Sequence, residues 1–336
     1  MKKLLTIACL AFALTANAQV SKWYDNIKLS GYGMLQFQAS DKKWAEDNTF
    51  NLRLMRLIVD GKISDFDWRV QMQGTSNAGP GNPTMQLVDL YTEWNRYKAF
   101  RVKVGQFKRA FTFENPTHPI TQGWYSYAMV INNLVGFGDR TGEKSSGGRD
   151  IGLQVQGDLL QLASGRSLLH YQVGVYNGEG INQKDKDNRK DIIGGLWLMP
   201  FDGVRIGAFG WTGSRAGVGD KNRYALSAEY DKNEFTFRTE YVHSQGNGAD
   251  LAMGDKADGI YAFGIVPVVK SKLHAKARYN LYRQSKEWAT SKTMYEVGFN
   301  YFFTKNLQLN VEYARVNERA GHHNYNFGDV ELDFRF

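Results

Sequence analysis

The sequence is poor in cysteine, proline and histidine, and these scarcities remove whole classes of site. Its one cysteine, Cys9, lies close to the start, and six prolines and six histidines are spread over 336 residues. Disulfides, cysteine-based zinc sites and a thiol nucleophile are therefore excluded beyond residue 9. The histidines lie on different segments without a serine-rich elbow, and the adjacent pair His322-His323 supplies too few metal ligands. The chain is predicted to hold no catalytic residue, metal or cofactor.

Long apolar runs are also missing after the first eighteen residues, which excludes membrane-spanning helices. The opening segment, MKKLLTIACLAFALTANA, has a basic start, an apolar stretch from Leu4 to Leu14 and the motif Ala16-Asn17-Ala18. This pattern is typical of a secretory signal peptide cleaved after Ala18. A lipoprotein signal at Cys9 is disfavoured, because the apolar stretch before it is very short and no leucine lies three positions upstream.

The sequence has a modest excess of positive charge. Removing Lys2 and Lys3 with the signal leaves 42 − 2 = 40 basic residues against 34 acidic ones, so the formal charge falls from +8 to +6. In an exported protein, such an excess favours anionic solutes or surfaces over nucleic acid, provided that the basic groups converge.

Alternation of apolar and polar residues is abundant. In FDWRVQMQG, the residues Phe66, Trp68, Val70 and Met72 share one face, and the intervening polar residues share the other. The same pattern recurs in DIGLQVQG, LHAKARYNLY, YEVGFNYFF, LQLNVEY and VELDFRF. These segments predict strands long enough to cross a hydrocarbon layer when tilted.

The connections between these segments alternate in length. Seven short turns alternate with eight longer polar loops, near residues 39–48, 75–84, 111–148, 178–190, 213–221, 245–257, 284–291 and 317–323. This arrangement predicts an all-β fold: one transmembrane antiparallel β-barrel domain of about sixteen strands over residues 19–336, with both ends on the short-turn side. A soluble β-sandwich shares the alternation but does not need short and long connections at opposite ends.

The last strand has an aromatic residue at its end. In VELDFRF, Val330, Leu332, Phe334 and Phe336 are expected to face lipid, with Phe336 in the aromatic band at the periplasmic interface. A terminal aromatic residue also resembles the signal by which outer-membrane barrels are recognised for assembly.

The stretch RVKVGQFKRAFTFENPTHP, residues 101–119, resembles a motif of the phosphate-selective porin O and P family. The segments NLRLMRLIVDGKISDFDWRVQMQG, DLYTEW, RDIGLQVQGDL and YQVGVYNGEG are similar to that family's successive strands, in order. The resemblance implies a trimeric sixteen-stranded porin in the outer membrane of a Gram-negative bacterium, with its third long loop folded into the pore. In some members an arginine and lysine array selects phosphate or pyrophosphate.

The third long loop, residues 111–148, is the candidate constriction. Loops of this length are usually functional, and its stretch SYAMVINNLVGFGDR is too apolar to extend into water. We expect the loop to pack inside the barrel and to present Glu114, Asp139 and Glu143 to the channel. The alternative is a surface loop that contacts a neighbouring subunit.

Strand parity predicts a basic wall in the lumen. Arg53, Arg56, Arg69, Arg101 and Lys103 are expected to point inward, although Arg53 and Arg56 can do so together only if a bulge lies near Met55. Lys108 and Arg109 follow where the chain turns into the loop. The alternative is that these cations are neutralised by acids that share the inward face, namely Asp67, Asp89, Glu93, Glu229, Glu240, Glu296, Glu312, Asp329, Glu331 and Asp333.

These features predict a water-filled channel for passive diffusion of small hydrophilic solutes, with a preference for anions such as phosphate. A non-selective or sugar-preferring channel is the alternative if Tyr91, Tyr176 and Tyr282 form a stacking track. An adhesin, an envelope anchor or a barrel enzyme are alternatives of another class.

Overall fold

The computed structural model describes residues 26–43, 48–76, 84–137, 147–215, 217, 219–246, 255–321 and 323–336. The predicted signal peptide lies outside the described residues. Within these ranges, no helix combines the length and the apolar character that crossing a bilayer requires.

Sixteen antiparallel strands close into a barrel, as the alternation predicts. Each strand pairs with the next one in the chain, and the first pairs with the last. The strands are β1 (Lys28–Ser40), β2 (Asn48–Ile63), β3 (Phe66–Gly74), β4 (Met85–Tyr97), β5 (Phe100–Lys108), β6 (Arg149–Gln161), β7 (Ser167–Tyr176), β8 (Asp191–Leu198), β9 (Val204–Arg215), β10 (Gly219–Lys232), β11 (Phe235–Gly246), β12 (Lys256–Val269), β13 (Leu273–Arg283), β14 (Ser291–Thr304), β15 (Leu307–Glu318) and β16 (His323–Arg335).

Short and long connections lie at opposite ends of the barrel. The turn between β10 and β11 has two residues, Asn233 and Glu234, both with positive φ, which lets the chain reverse tightly. One predicted long loop is much shorter than expected. The segment near 213–221 is mostly strand, because Arg215 still pairs with Gly219, and only residues 216–218 connect β9 to β10.

The side chains of β16 show how the wall divides lipid from lumen. Asp329, Glu331 and Asp333 are at most 1% exposed, whereas Val330 and Phe334 are 41% and 38% exposed on the outer surface. Alternate residues of a strand point to opposite faces, so the apolar row meets lipid and the carboxylates meet the interior. The predicted orientation of this strand is confirmed.

Phe336 completes the closure of the barrel. Its backbone exchanges two hydrogen bonds of 3.0 Å with Gly31 at the start of β1. A Cβ atom on Gly31 would lie 2.4 Å from the ring of Phe336, so this close approach requires glycine. The ring itself is 57% exposed on the outer surface.

The described part of the predicted loop 111–148, residues 111–137 and 147–148, folds into the barrel, as predicted. It contains the short helices α1 (Pro119–Gln122) and α2 (Met129–Leu134), and α2 contacts β11, β12 and β13 from inside. The loop between β13 and β14 contains a 3₁₀ turn, Trp288–Thr290. The inward loop divides the lumen into a filled half and an open half, which positions the candidate site.

Candidate functional site

One side of the inward loop is apolar and packs against the inner wall. Phe111, Phe113 and Trp124 are almost wholly buried, together with the apolar residues of α2. Phe111 meets Trp211 of β9 with ring centroids 5.5 Å apart, and Trp124 meets Phe263 of β12 at 5.7 Å. Removing these rings from water is favourable, so the cluster holds the loop against that half of the barrel.

Polar side chains of the same wall bind the loop backbone. The carboxylate of Glu240 accepts hydrogen bonds of 2.8 Å from the N–H groups of both Phe113 and Glu114. Glu312 accepts one of 2.7 Å from the N–H of Tyr125. Cationic side chains donate to loop carbonyls: Lys276 to Gly123, Arg278 to Ser126, Arg223 to Leu134 and Arg335 to Ile120. Several inward acids therefore hold the loop in place and do not line open water.

A cavity of about 200 Å³ lies on the other side of the loop, between it and the wall formed by β2 to β9. We refer to this cavity as the passage. Its charged lining residues are Arg56, Arg69, Asp89, Lys103, Lys108, Arg109, Arg149 and Arg205. Seven of these eight are basic, so the positive charges converge at this position.

Five of the lining cations are paired with carboxylates of the wall, including Arg109 with Asp150 at 2.9 Å. For the other four pairs, the closest N–O distances are 2.6 Å for Arg69 with Asp60, 3.1 Å for Lys103 with Glu93, 2.6 Å for Arg149 with Asp89, and 2.6 Å for Arg205 with Glu229. A carboxylate at this distance offsets much of the charge that a passing solute experiences.

Arg56 and Lys108 differ from these paired cations. Arg56 donates two hydrogen bonds to the amide oxygen of Gln73, at 2.8 and 3.0 Å. Lys108 donates to the hydroxyl of Tyr127 at 2.8 Å and to the carbonyl of Asn115. Among the described residues, neither cation has a carboxylate oxygen within 4.0 Å. These two residues thus supply the least compensated positive charge of the passage.

The loop side of the passage is uncharged in its described part. Pro116, Thr117 and His118 face the lining cations. Burial, aided by the nearby Arg56 and Arg69, lowers the pKa of His118 to about 3, so its imidazole is neutral near pH 7.

Of the three loop acids named from the sequence, Glu114 belongs to the described residues, and it does not line the passage. Glu114 is fully buried on the wall side, where it accepts hydrogen bonds from Gln122 and from the N–H of Ala128. Asp139 and Glu143 lie outside the described residues.

Two of the predicted basic residues lie elsewhere. Arg53 bonds Glu331 at 2.8 Å on the filled side of the lumen. The register of β1 and β2 skips Arg53, so the irregularity lies two residues before Met55. Arg101 pairs with Asp158 at 2.9 Å and is not among the residues that line the passage.

Arg109 borders the passage but has no exposed side-chain surface. Its guanidinium pairs with Asp150 at 2.9 Å, donates to the carbonyl of Gly136, and lies over the ring of Trp211 with its Cζ 5.0 Å from the centroid. These contacts anchor the loop where it leaves β5.

Comparison with known proteins agrees with this architecture. The family model described as Gram-negative porin matches residues 5–321. The chain belongs to the Gram-negative porin family. No curated protein matches the sequence.

Solved porins share the fold at low sequence identity. An anion-selective porin from Comamonas acidovorans has a TM-score of 0.70 and 11% identity, covering 92% of this chain and 99% of its own. OmpF of Salmonella typhi in complex with daunomycin has a TM-score of 0.66 and 13% identity, covering 93% and 98%. A Vibrio cholerae OmpT lacking loop L8 has a TM-score of 0.59 and 12% identity, covering 93% and 100%.

Two lining cations of this porin, Arg149 and Arg205, were not anticipated from the sequence. Arg149 follows Gly147 and Gly148, both with positive φ, so the chain bends there and alternation cannot assign its side. Arg205 could have been found, because it lies two positions from Gly207 and four from Phe209 on the inward parity of β9.

The proposed tyrosine track is not continuous in this porin. Tyr176 has no exposed surface, accepts a hydrogen bond from the N–H of Ala110 and donates one to Gln154. Tyr91 packs on Phe107, and Tyr282 lies against a different part of the loop. A sugar-preferring channel cannot rest on these three residues together.

Proposed function

We propose that this porin is an anion-preferring channel for passive diffusion of small hydrophilic solutes, with phosphate-like oxyanions as its best substrates. The observation that carries the proposal is the lining of the passage, in which seven of eight charged residues are basic and the described loop side is uncharged. Positive charge that converges along a narrow path raises the local concentration of anions and lowers that of cations. Arg56 and Lys108 contribute most, because no described carboxylate compensates them at short range.

The preference for oxyanions follows from guanidinium chemistry. Arg56, Arg69, Arg149 and Arg205 line the passage, and a planar guanidinium donates in parallel to two oxygens of one phosphate. Transport requires that each contact stay weak enough for release. The carboxylate partners of Arg69, Arg149 and Arg205 serve this requirement, since they compete with the passing anion for the same donors.

Single-channel recording in a planar bilayer tests the oxyanion preference. We expect added phosphate to reduce the chloride current at concentrations where acetate has little effect, because acetate presents only two oxygens and a single charge. Equal reduction by both ions would limit the proposal to a general anion preference. Absence of any channel would overturn the diffusion function and favour an adhesin or anchor.

The assembly state and export of the protein belong to the same proposal. We infer a homotrimer that uses the apolar outer groove lined by Leu35, Phe37, Phe50 and Leu52, in which Phe50 is 86% exposed. Cross-linking of the detergent-purified protein should then give a trimer that Phe50→Ser weakens.

We also infer removal of residues 1–18, so amino-terminal sequencing of the membrane protein should begin at Gln19.

A further inference from the structure

Three adjacent strands change the chemistry of their inward faces toward the long-loop end of the barrel. Deeper in the lumen, β14, β15 and β16 turn carboxylates and amides inward, such as Glu296, Glu312 and Asp329. Nearer the mouth, their inward residues are apolar or aromatic: Met294, Ala314, Val316, Tyr325 and Phe327. The strand register sets Met294 opposite Val316, and Val316 opposite Tyr325, so the change occurs at one level on all three strands.

This apolar patch borders a pocket between the wall and the inward loop. The pocket encloses about 310 Å³, near the lower end of the range of about 300–1,000 Å³ found for small-molecule sites. Besides the apolar residues, it is lined by the amides Gln38, Asn132 and Asn133 and by the amines of Lys42 and Lys292. No carboxylate is among its lining residues in the described part of the chain.

Packing of the loop explains only part of the patch. Tyr125 of the loop lies on Phe327 with ring centroids 4.8 Å apart, and Met129 is buried with Met294 in the same cluster. Tyr325 is different, because its partly exposed ring carries the amines of Lys42 and Lys292 at 5.1 and 5.7 Å from its centroid. Tyr325 therefore presents part of its ring to the pocket, with two cations beside it.

The amides on α2 are fixed in place by the loop. Asn132 donates to the carbonyl of Tyr127 at 3.0 Å and Asn133 donates to the carbonyl of Met129 at 2.7 Å. Held amides provide hydrogen-bonding groups at set positions without the cost of ordering flexible side chains on binding. Tyr127 also lines the pocket and accepts a hydrogen bond from Lys108, which lines the basic passage. The pocket therefore adjoins the passage.

We propose that this pocket is a binding site for acidic monosaccharides, a pyranose with a carboxylate or phosphate group, at the mouth of the channel. The apolar C–H face of the sugar stacks on Tyr325 and Phe327, its hydroxyl groups bond the amides, and its acidic group lies near Lys42 and Lys292. Lys292 is shared with Glu318 at 2.5 Å, which keeps binding weak enough for release. The site rests on the open channel proposed above and names a solute class for it.

Block of single-channel chloride current tests the site. Glucuronate and glucose 6-phosphate, added on the long-loop side, are expected to interrupt the current at lower concentrations than glucose, acetate or inorganic phosphate requires. If glucose blocked the current with equal potency, the two lysines would have no role in binding. Equal potency of acetate or inorganic phosphate would show that the charge of the passage suffices, and would overturn the site.

Substitutions in the apolar patch test whether the block by sugars depends on it. The double variant Tyr325→Ala, Phe327→Ala should weaken block by both sugars about tenfold, the order of effect expected when anchoring aromatic contacts are removed. Tyr295→Ala is the matched control, because Tyr295 is the neighbour of Met294 and is 52% exposed on the outer surface. Unchanged block in the double variant, with normal chloride conductance, would overturn the proposal.

The reversal potential in a KCl gradient separates this site from the proposed anion preference. It depends on Arg56 and Lys108 and should not change in the Tyr325 and Phe327 variant. If the channel has no anion preference but glucuronate still blocks it, the proposed function is contradicted and the proposed binding site stands. If the channel prefers anions but glucuronate does not block it, the binding site is contradicted and the proposed function stands.

Discussion

At the scale of single residues, the partner of each cation separates a lining role from an anchoring role. Arg109 and Arg56 are both buried basic residues near the loop, yet Arg109 pairs with Asp150 while Arg56 bonds a neutral amide. A buried pair stabilises its surroundings only while both members are present. The sequence identified Arg56 by strand parity and Arg109 by its position where the chain turns into the loop. It could not distinguish their roles, because these depend on which side chain of a neighbouring strand each one contacts.

The double variant Arg56→Gln, Lys108→Gln tests the two uncompensated cations. One charge about 4 Å from an ion is worth about 1 kcal/mol in water-like surroundings, so we expect the ratio of anion to cation permeability to fall at least about fivefold. Reversal potentials in a KCl gradient provide the measurement. Arg101→Gln is the matched control, since Arg101 is not a lining residue and pairs with the carboxylates of Asp158 and Glu93. A shift of equal size in the control would contradict the assignment.

The pH dependence of selectivity tests the state of His118. Because its pKa is lowered to about 3, the imidazole gains no charge between about pH 5 and 8, and anion preference should show no step there from this residue. The folded state then binds fewer protons than the unfolded state between about pH 3 and 6.5, so this residue lowers stability as pH falls through that range. A rise in anion preference centred near pH 6.5 that His118→Gln abolishes would contradict this account.

At the scale of elements, the strands were predictable and the path of the inward loop was only partly so. Alternation gave sixteen strands because each one has a lipid face and a water face. The apolar stretch containing α2 predicted an inward loop. It could not show against which half of the wall the loop packs. That depends on aromatic residues such as Trp211 and Phe263, and nothing in the sequence marks these residues as contacts of the loop. Glu114 was misplaced for the same reason.

Weakening one wall contact should loosen the loop. Glu240 accepts bonds from two loop N–H groups as well as from Ser227 and Tyr261, and hydrogen bonds to a charged acceptor are worth about 1.5–3 kcal/mol each. We expect Glu240→Gln to increase the noise and mean size of the single-channel current, because its amide replaces one acceptor oxygen with a donor.

Asp329→Asn is the matched control for this element. Asp329 is a buried inward acid of similar depth, but it accepts its side-chain bonds from Gln36 and Gln38 of β1 and not from the loop. Its variant should leave current noise unchanged. Equal noise in both variants would show that general weakening of the wall, and not release of the loop, produces the effect.

At the scale of the whole molecule, the barrel separates its charges into two regions. Acids such as Glu240 and Glu312 lie beneath the loop and are used in holding it, while the cations near β2 to β9 border the open passage. The formal charge of the sequence is only moderately positive, yet seven of the eight charged residues that line the passage are basic, because the loop covers other acids. This separation supports the proposed anion preference of a chain that has 34 acidic residues.

The reversal potential of the unmodified channel in a KCl gradient tests this account most directly. A passage lined by seven cations and one acid predicts a potential displaced toward the equilibrium potential of chloride, with the displacement decreasing at high salt as screening grows. A potential displaced toward that of potassium, or none at all at low salt, would contradict it.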